Sequence, residues 1–263
     1  MNKHLMLVSL GPIQDFIASA RRCQDLWFGS WLLSDLARAT AKSLAERDGA
    51  TLIFPGELAR DDAAVANKIL VLLPESVEPR AAAESAREAM NRRLEEFRDC
   101  AFADIDVEEH FHDEIAHAQL ADLMEFLWVA VPFAGDYGKA RAEAERLLSE
   151  RKNTRLWAKV GWDTSRGVPK SSLDGLRESV IDEAVYEGIK GGVDWALRLQ
   201  STFHIRPQER LCGVGLLKRF GEKLEEDVFA KRKPPFHSTS HLAAAPLLVR
   251  LAREPRLRAA FEA

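Results

Sequence analysis

Along the first half of the chain, short apolar blocks alternate with stretches of helical spacing. Residues 5–10 (LMLVSL) are a continuous apolar run closed by Gly11-Pro12, the pattern of a buried strand and a tight turn. Residues 14–22 follow, with Ile13, Phe16, Ile17 and Ala20 at helical spacing and Arg21-Arg22 at the end. A longer helix is expected over 24–47, with Leu26, Leu33, Ala37, Thr40 and Leu44 along one side and Gly49 just beyond. Residues 51–54 (TLIF), stopped by Pro55-Gly56, and 68–73 (KILVLL), stopped by Pro74, predict two more strands. Residues 79–100 predict a charged, alanine-rich amphipathic helix, and 126–131 (FLWVAV), ended by Pro132, a closing strand. With the two early helical pieces taken as one layer, the order is that of a ferredoxin-like β-α-β-β-α-β unit. The fold class is therefore α+β, with this unit over 1–135.

From Tyr137 the character changes. A helix of mixed charge is expected to about Lys152, then an irregular stretch rich in Gly, Ser and Asp (GWDTSRGVPKSSLDG). Residues 211–220 are apolar with Gly213 and Gly215 inside, and a basic, proline-containing loop at 231–235 leads into HSTSHLAAAPLLVRLA. A mainly helical subdomain is expected over 136–263. No repeat, low-complexity tract or clear linker interrupts the 263 residues.

Composition narrows the function classes. Hydrophobic residues make up 46% and charged residues 30%, ordinary for a globular protein. The net charge of −4 argues against a chain that binds polyanions with its whole surface, so nucleic-acid contacts must come from local basic patches. Cys23, Cys100 and Cys212 are far apart and form no Cys-x-x-Cys pair, which argues for a reducing compartment and against both a disulfide framework and a cysteine zinc site. The apolar run near the N-terminus is too short for a signal peptide, and no long apolar stretch follows. A cytoplasmic location and no membrane partner are expected.

Two segments resemble the large subunit of type III-B (Cmr) CRISPR effector complexes. "SLGPIQDFIASARRCQDLWFGSWLLSDL" is similar to the opening of that family's palm region. "ERLCGVGLLKRF", followed by "FHSTSHLAAAP", is similar to the stretch before its second palm domain. "QLADLMEFLWVAVPF" and "RLWAKVGWDTSRGVPKSSLDGLRESV" lie between them, more weakly similar and in the expected order. The resemblance implies a ferredoxin-like palm domain followed by the mainly helical subdomain. It also implies ATP as ligand, held between two palm domains, with Mg or Mn supplied through the second. It implies further that target RNA switches on cyclic oligoadenylate synthesis in antiviral defence. The implied partners are other Cmr-type subunits, guide RNA and target RNA. Family members often begin with an HD nuclease domain and carry a catalytic Gly-Gly-Asp-Asp, neither of which occurs here, so no catalytic residue is expected, and the catalytic palm is expected either on the subunit's own further C-terminal half or on a separate chain. The family's zinc knuckle is degenerate: Lys170 to Gly175 (KSSLDG) and Cys212 to Gly215 (CGVG) stand where its two Cys-x-x-Cys pairs would fall. One thiol and several hydroxyls make a poor zinc site, so no zinc and no other metal is expected.

For the nucleotide, the resemblance points to Ser9, Gly11, Pro12, Ile13 and Phe16 around base and sugar, with Arg21 or Arg22 near phosphate. A bare glycine lets backbone approach a ligand, and a helix start offers free N–H groups. The residues alone fit equally a simple strand-to-helix turn with Phe16 in the core. No P-loop or dinucleotide-binding glycine motif is present. Trp27 and Trp31 share a helix face, suiting core or a partner interface, and Ser30 is a further candidate for ligand contact. Glu108-Glu109-His110-Phe111-His112-Asp113 with His117 invites a metal reading, but adjacent-but-one histidines diverge on a helix, and a solvated acidic helix start explains them. For nucleic acid the candidates are Lys218, Arg219, Lys231, Arg232 and Lys233, since adjacent cations neutralise phosphates without reading sequence. A solvated loop accounts equally for the last three. Ser238, Thr239 and Ser240 suit helix capping. The alternative to nucleotide binding is a purely structural ribonucleoprotein subunit.

Overall fold

In the computed structural model, residues 3–56, 58, 65–105, 110–154, 167–188, 193–226, 231 and 239–254 are described. Lys3–Gly11 forms β1, Gln14–Ala18 α1, Cys23–Ala45 α2, Thr51–Phe54 β2, Lys68–Leu73 β3 and Pro79–Phe102 α3. Asp113–Ala121 forms α4, Glu125–Phe133 β4, Tyr137–Asn153 α5, Glu183–Gly188 α6, Val193–Thr202 α7 and Gly213–Phe220 α8. A 3₁₀ turn covers Gly221–Glu225, and Thr239–Arg253 is α9. The four strands make one antiparallel sheet in the order β2-β3-β1-β4, which is the ferredoxin-like arrangement expected.

β1 is central, so both of its faces are covered, and its six buried positions, Leu5 to Leu10, are all apolar except Ser9. Leu5 and Leu7 share one face with Leu70, Val129 and Val131, and α5 lays Ala140, Ala144 and Leu148 on them. These three residues repeat every four positions, one stripe of the helix. The alternate residues Met6, Val8, Ile69 and Val71 are fully buried on the opposite face, where α2 and α3 pack. Trp31 and Phe28 of α2 meet Phe97 of α3 at ring-centroid distances of 5.5 and 6.0 Å, so the Trp31 face serves the core. Glu78 caps α3 by accepting from the N–H groups of Arg80 and Ala81, and Asp136 caps α5 by accepting from Lys139 N–H.

Met1–Glu226 is one compact unit, within which α5 covers the sheet that holds β4. Asp227–Ala263, the second unit, contains α9. One expectation changes. The first helix stops at Ala18, short of Arg22. Ser19 Oγ donates to Phe16 O at 3.0 Å, and the Lys218 ammonium takes the Phe16 and Ser19 carbonyls, so the last turn is capped early. Among the described residues no helix is long and apolar enough to cross a membrane.

Candidate nucleotide-binding site

At the end of β1 the chain opens a cleft of about 180 Å³. Ser9, Gly11, Pro12 and Ile13 form one side, and Asn67, Glu125, Leu127 and Lys152 complete it. Strand pairing sets this geometry: Gly11 stands opposite Glu125 and Ser9 opposite Leu127. A β-carbon added at Gly11 would lie 3.4 Å from Glu125 Oε2, so the glycine leaves the carboxylate its place. Asn67 tethers the strand end. Its carbonyl accepts from Leu10 N–H at 2.8 Å, and its side-chain amide donates to Leu10 O at 3.1 Å. Lys152, in the last turn of α5, is the cation of the cleft. A carboxylate, an ammonium and bare backbone around a small cavity suit a ribose or base edge better than a polyphosphate.

Four of the expected residues thus line one cavity, and four do not. Phe16 is 3% exposed and belongs to the core, with Lys218 Nζ 4.2 Å from its ring centroid. Arg21 donates to Ser172 O at 3.2 Å and Arg22 to His204 O at 2.6 Å, so both reach toward the second half of the unit. Burial and the neighbouring Arg219 lower the Arg22 pKa from its ordinary value. Ser30 is exposed on α2 and does not line the cleft. Sequence reading missed Asn67, Glu125, Leu127 and Lys152, which come from the loop before β3, from β4 and from the end of α5; only the antiparallel pairing of β1 with β4 would have pointed to Glu125.

Lys218 and Arg219 are 1% and 4% exposed, so neither presents its charge to a nucleic acid. Arg219 donates to Asp25 Oδ2 at 3.3 Å, to both Glu209 oxygens at 3.0 and 3.1 Å and to His204 O at 2.6 Å. Burial raises the Asp25 pKa against the pull of Arg219. For Glu209 burial also pushes upward, but hydrogen bonds from Arg219 and Arg206 N–H prevail and its pKa is lowered. Lys218 donates to Phe16 O, Ser19 O and Ser19 Oγ, and burial brings its pKa down to about 8. Gly29 makes room for this lock: a β-carbon there would lie 3.3 Å from Phe16 and 3.4 Å from Lys218. The two segments that carry the resemblance therefore meet in space and hold each other. Lys231 is exposed, and Arg232 and Lys233 lie outside the described residues.

The two stretches in the place of a zinc knuckle also come together. Ser172 N–H donates to Arg210 O at 2.8 Å, Arg210 N–H returns a bond to Ser172 Oγ at 3.1 Å, and Cys212 Sγ donates to Asp174 at 3.8 Å. The Asp174 carboxylate is already engaged by Leu176 N–H, Arg177 N–H and the Arg177 guanidinium. The Cys212 thiol is buried, and burial raises its pKa. One buried thiol and a committed carboxylate are not a tetrahedral donor set. Among the described residues no three His, Cys, Asp or Glu side chains gather as metal ligands. His110 and His112 instead pair their backbones with Asp182 and Val180, and the His117 ring packs on Phe102. Glu108 and Glu109 lie outside the described residues.

Residues 5–60 match the family model described as CRISPR-associated protein Cmr2, N-terminal. This span holds most of β1, the Gly11-Pro12 turn, α1, α2 and β2. No curated protein sequence matches the chain. Among solved structures, a chain of the type III-B Cmr-beta complex bound to cognate target RNA matches with a TM-score of 0.62 and 16% identity. The match covers 96% of this chain and 37% of that one. The apo state of Cmr-beta matches with a TM-score of 0.57 and 16% identity, over 90% of this chain and 33% of that one. The chain thus spans little more than a third of the length of the chains it resembles. Its opening segment is similar to the Cmr2 N-terminal family model, and over nearly its whole length its fold is similar to part of a chain of the type III-B Cmr-beta complex.

Proposed function

We propose that this chain works as the non-catalytic N-terminal portion of a type III-B CRISPR effector large subunit, and that the cleft at Gly11 forms one wall of an ATP pocket. The observation that carries this reading is a coincidence of place: the family match spans 5–60, and within it the end of β1 opens a cavity bordered by Ser9, Gly11, Pro12 and Ile13. In that cleft Glu125 would accept from ribose hydroxyls and Lys152 would face the phosphate side. The remaining phosphate contacts, the Mg or Mn ions and the carboxylates that hold them would come from a second palm domain, on a further part of the subunit or on a separate chain. No zinc is needed, since Ser172, Arg210, Asp174 and Cys212 already bind the two knuckle stretches together. The partners on this reading are the other Cmr-type subunits, with guide and target RNA reaching the chain through the complex and the exposed Lys231 a candidate phosphate contact. Cyclic oligoadenylate synthesis in antiviral defence would be the output of the assembly.

Calorimetric titration of ATP into the complex assembled with a Gly-Gly-Asp-Asp palm tests this. Saturable binding is expected, weakened roughly tenfold by Lys152→Ala through loss of one charge-assisted contact. An assembled complex that takes up no ATP would leave a purely structural ribonucleoprotein subunit as the function.

A further inference from the structure

A second cleft, of about 390 Å³, lies on the other face of the sheet. Arg80, Glu84 and Arg87 fall at successive helical turns on one side of α3, and Ala83 between them is small and buried. Facing them, Phe126 and Trp128 alternate along β4, an edge strand. Both rings are only partly covered. Arg151 reaches around the edge from α5. Its Nη1 donates to Trp128 O at 3.2 Å, and its guanidinium carbon lies 5.7 Å from the Trp128 ring centroid. Glu84 is paired with Arg80 at 3.2 Å, and the three guanidinium groups outnumber this one carboxylate in the wall.

On a chain of net charge −4, three arginines around two half-covered aromatic rings are a local exception. The combination selects a ligand. Aromatic faces stack on any exposed base, arginines neutralise the flanking phosphates, and the volume suits one nucleoside at a time. A duplex keeps its bases stacked inside and offers these rings nothing, and an acidic peptide would use the arginines but leave the rings idle. The open edge of β4 lets a strand run past the cleft on either side.

We propose that this cleft binds single-stranded RNA, one base stacking on Trp128 beside Phe126 and the adjoining phosphates meeting Arg80, Arg87 and Arg151. The inference goes beyond the nucleotide reading of the Gly11 cleft, which lies on the opposite face, and its test uses no ATP.

Fluorescence anisotropy of the full chain with a labelled oligouridylate, its base-paired duplex and uridine monophosphate as competitor decides the matter. The single strand is expected to bind more tightly than the duplex and to resist displacement by the mononucleotide at equal nucleotide concentration. Trp128→Ala should weaken binding roughly tenfold or more while Trp128→Phe restores most of it. Arg87→Ala, at an exposed helix position that leaves the fold intact, should lower the salt dependence by about one phosphate contact. Equal binding of duplex and single strand would overturn the proposal. So would displacement by the mononucleotide, or Trp128→Ala and Arg87→Glu both within about twofold of wild type.

Discussion

Asp25 and Lys218 show how much of this protein's stability rests on charges that water does not reach. Asp25 is 2% exposed, and its partner Arg219 is 4% exposed. Removing one member of a buried pair strands the other, so Asp25→Ala is expected to lose roughly 3 kcal/mol even though Glu209 still holds Arg219. Urea denaturation measures this directly. A loss under about 0.5 kcal/mol would mean that Glu209 alone satisfies the guanidinium. Lys218 yields a pH signature. Its amine titrates at about 8 in the folded chain and near the usual lysine value, about 10.4, once unfolded. Between those values the unfolded state holds the extra proton, so this group's contribution to stability rises with pH across the window. Compared with Lys218→Met, in which every other titration is shared, wild type should gain roughly 2 kcal/mol between pH about 8 and 10. Parallel stability curves for the two proteins would contradict the burial argument.

At the scale of elements, helices are joined by side chains that bridge long stretches of sequence. Arg93 of α3 donates to Asp35 of α2 at 2.6 Å, to Glu96 at 2.7 Å and to Glu225 in the 3₁₀ turn, and it lies 4.5 Å over the Phe97 ring. Burial would lower its pKa, yet these carboxylates raise it, so the guanidinium stays charged at every ordinary pH. Arg93→Ala is expected to lower stability by about 2 kcal/mol and to raise amide exchange across Gly221–Glu225 before α3 opens. Exchange rising uniformly along α3 would contradict a local clasp. The strands and the long helices were legible because periodicity reports burial: β1, β3, α2 and α3 fall within a few residues of their expected bounds. The early end of α1 was not legible, because what stops it is an ammonium about 200 positions away in the chain.

For the molecule as a whole, the division at Glu226 makes a prediction about truncation. A chain ending at Glu226 keeps the sheet, α5 and the Asp25–Arg219–Glu209 lock, so it should unfold in one cooperative transition with a urea midpoint close to that of the full chain. A chain ending at 135 removes Ala140, Ala144 and Leu148 from the sheet face, and Lys218 from Phe16. It should fail to fold cooperatively. A native-like transition in the shorter piece would support the boundary expected from the order of strands and helices along the chain.

The order of strands and helices, the α+β class and the likeness to one family follow from the sequence by itself, because each depends on neighbours a few positions apart. Only tertiary structure decided which charges face solvent. Lys218 and Arg219 have the same local signature as an exposed basic pair, and what buries them is Asp25, Glu209 and the carbonyls of Phe16 and Ser19, brought from elsewhere in the chain. In the same way Glu125 and Lys152 joined the Gly11 cleft, and Trp128 met the arginines of α3. Linear spacing records what a residue is and which side of its own element it occupies, but the free energy of a charge is set by what surrounds it in three dimensions.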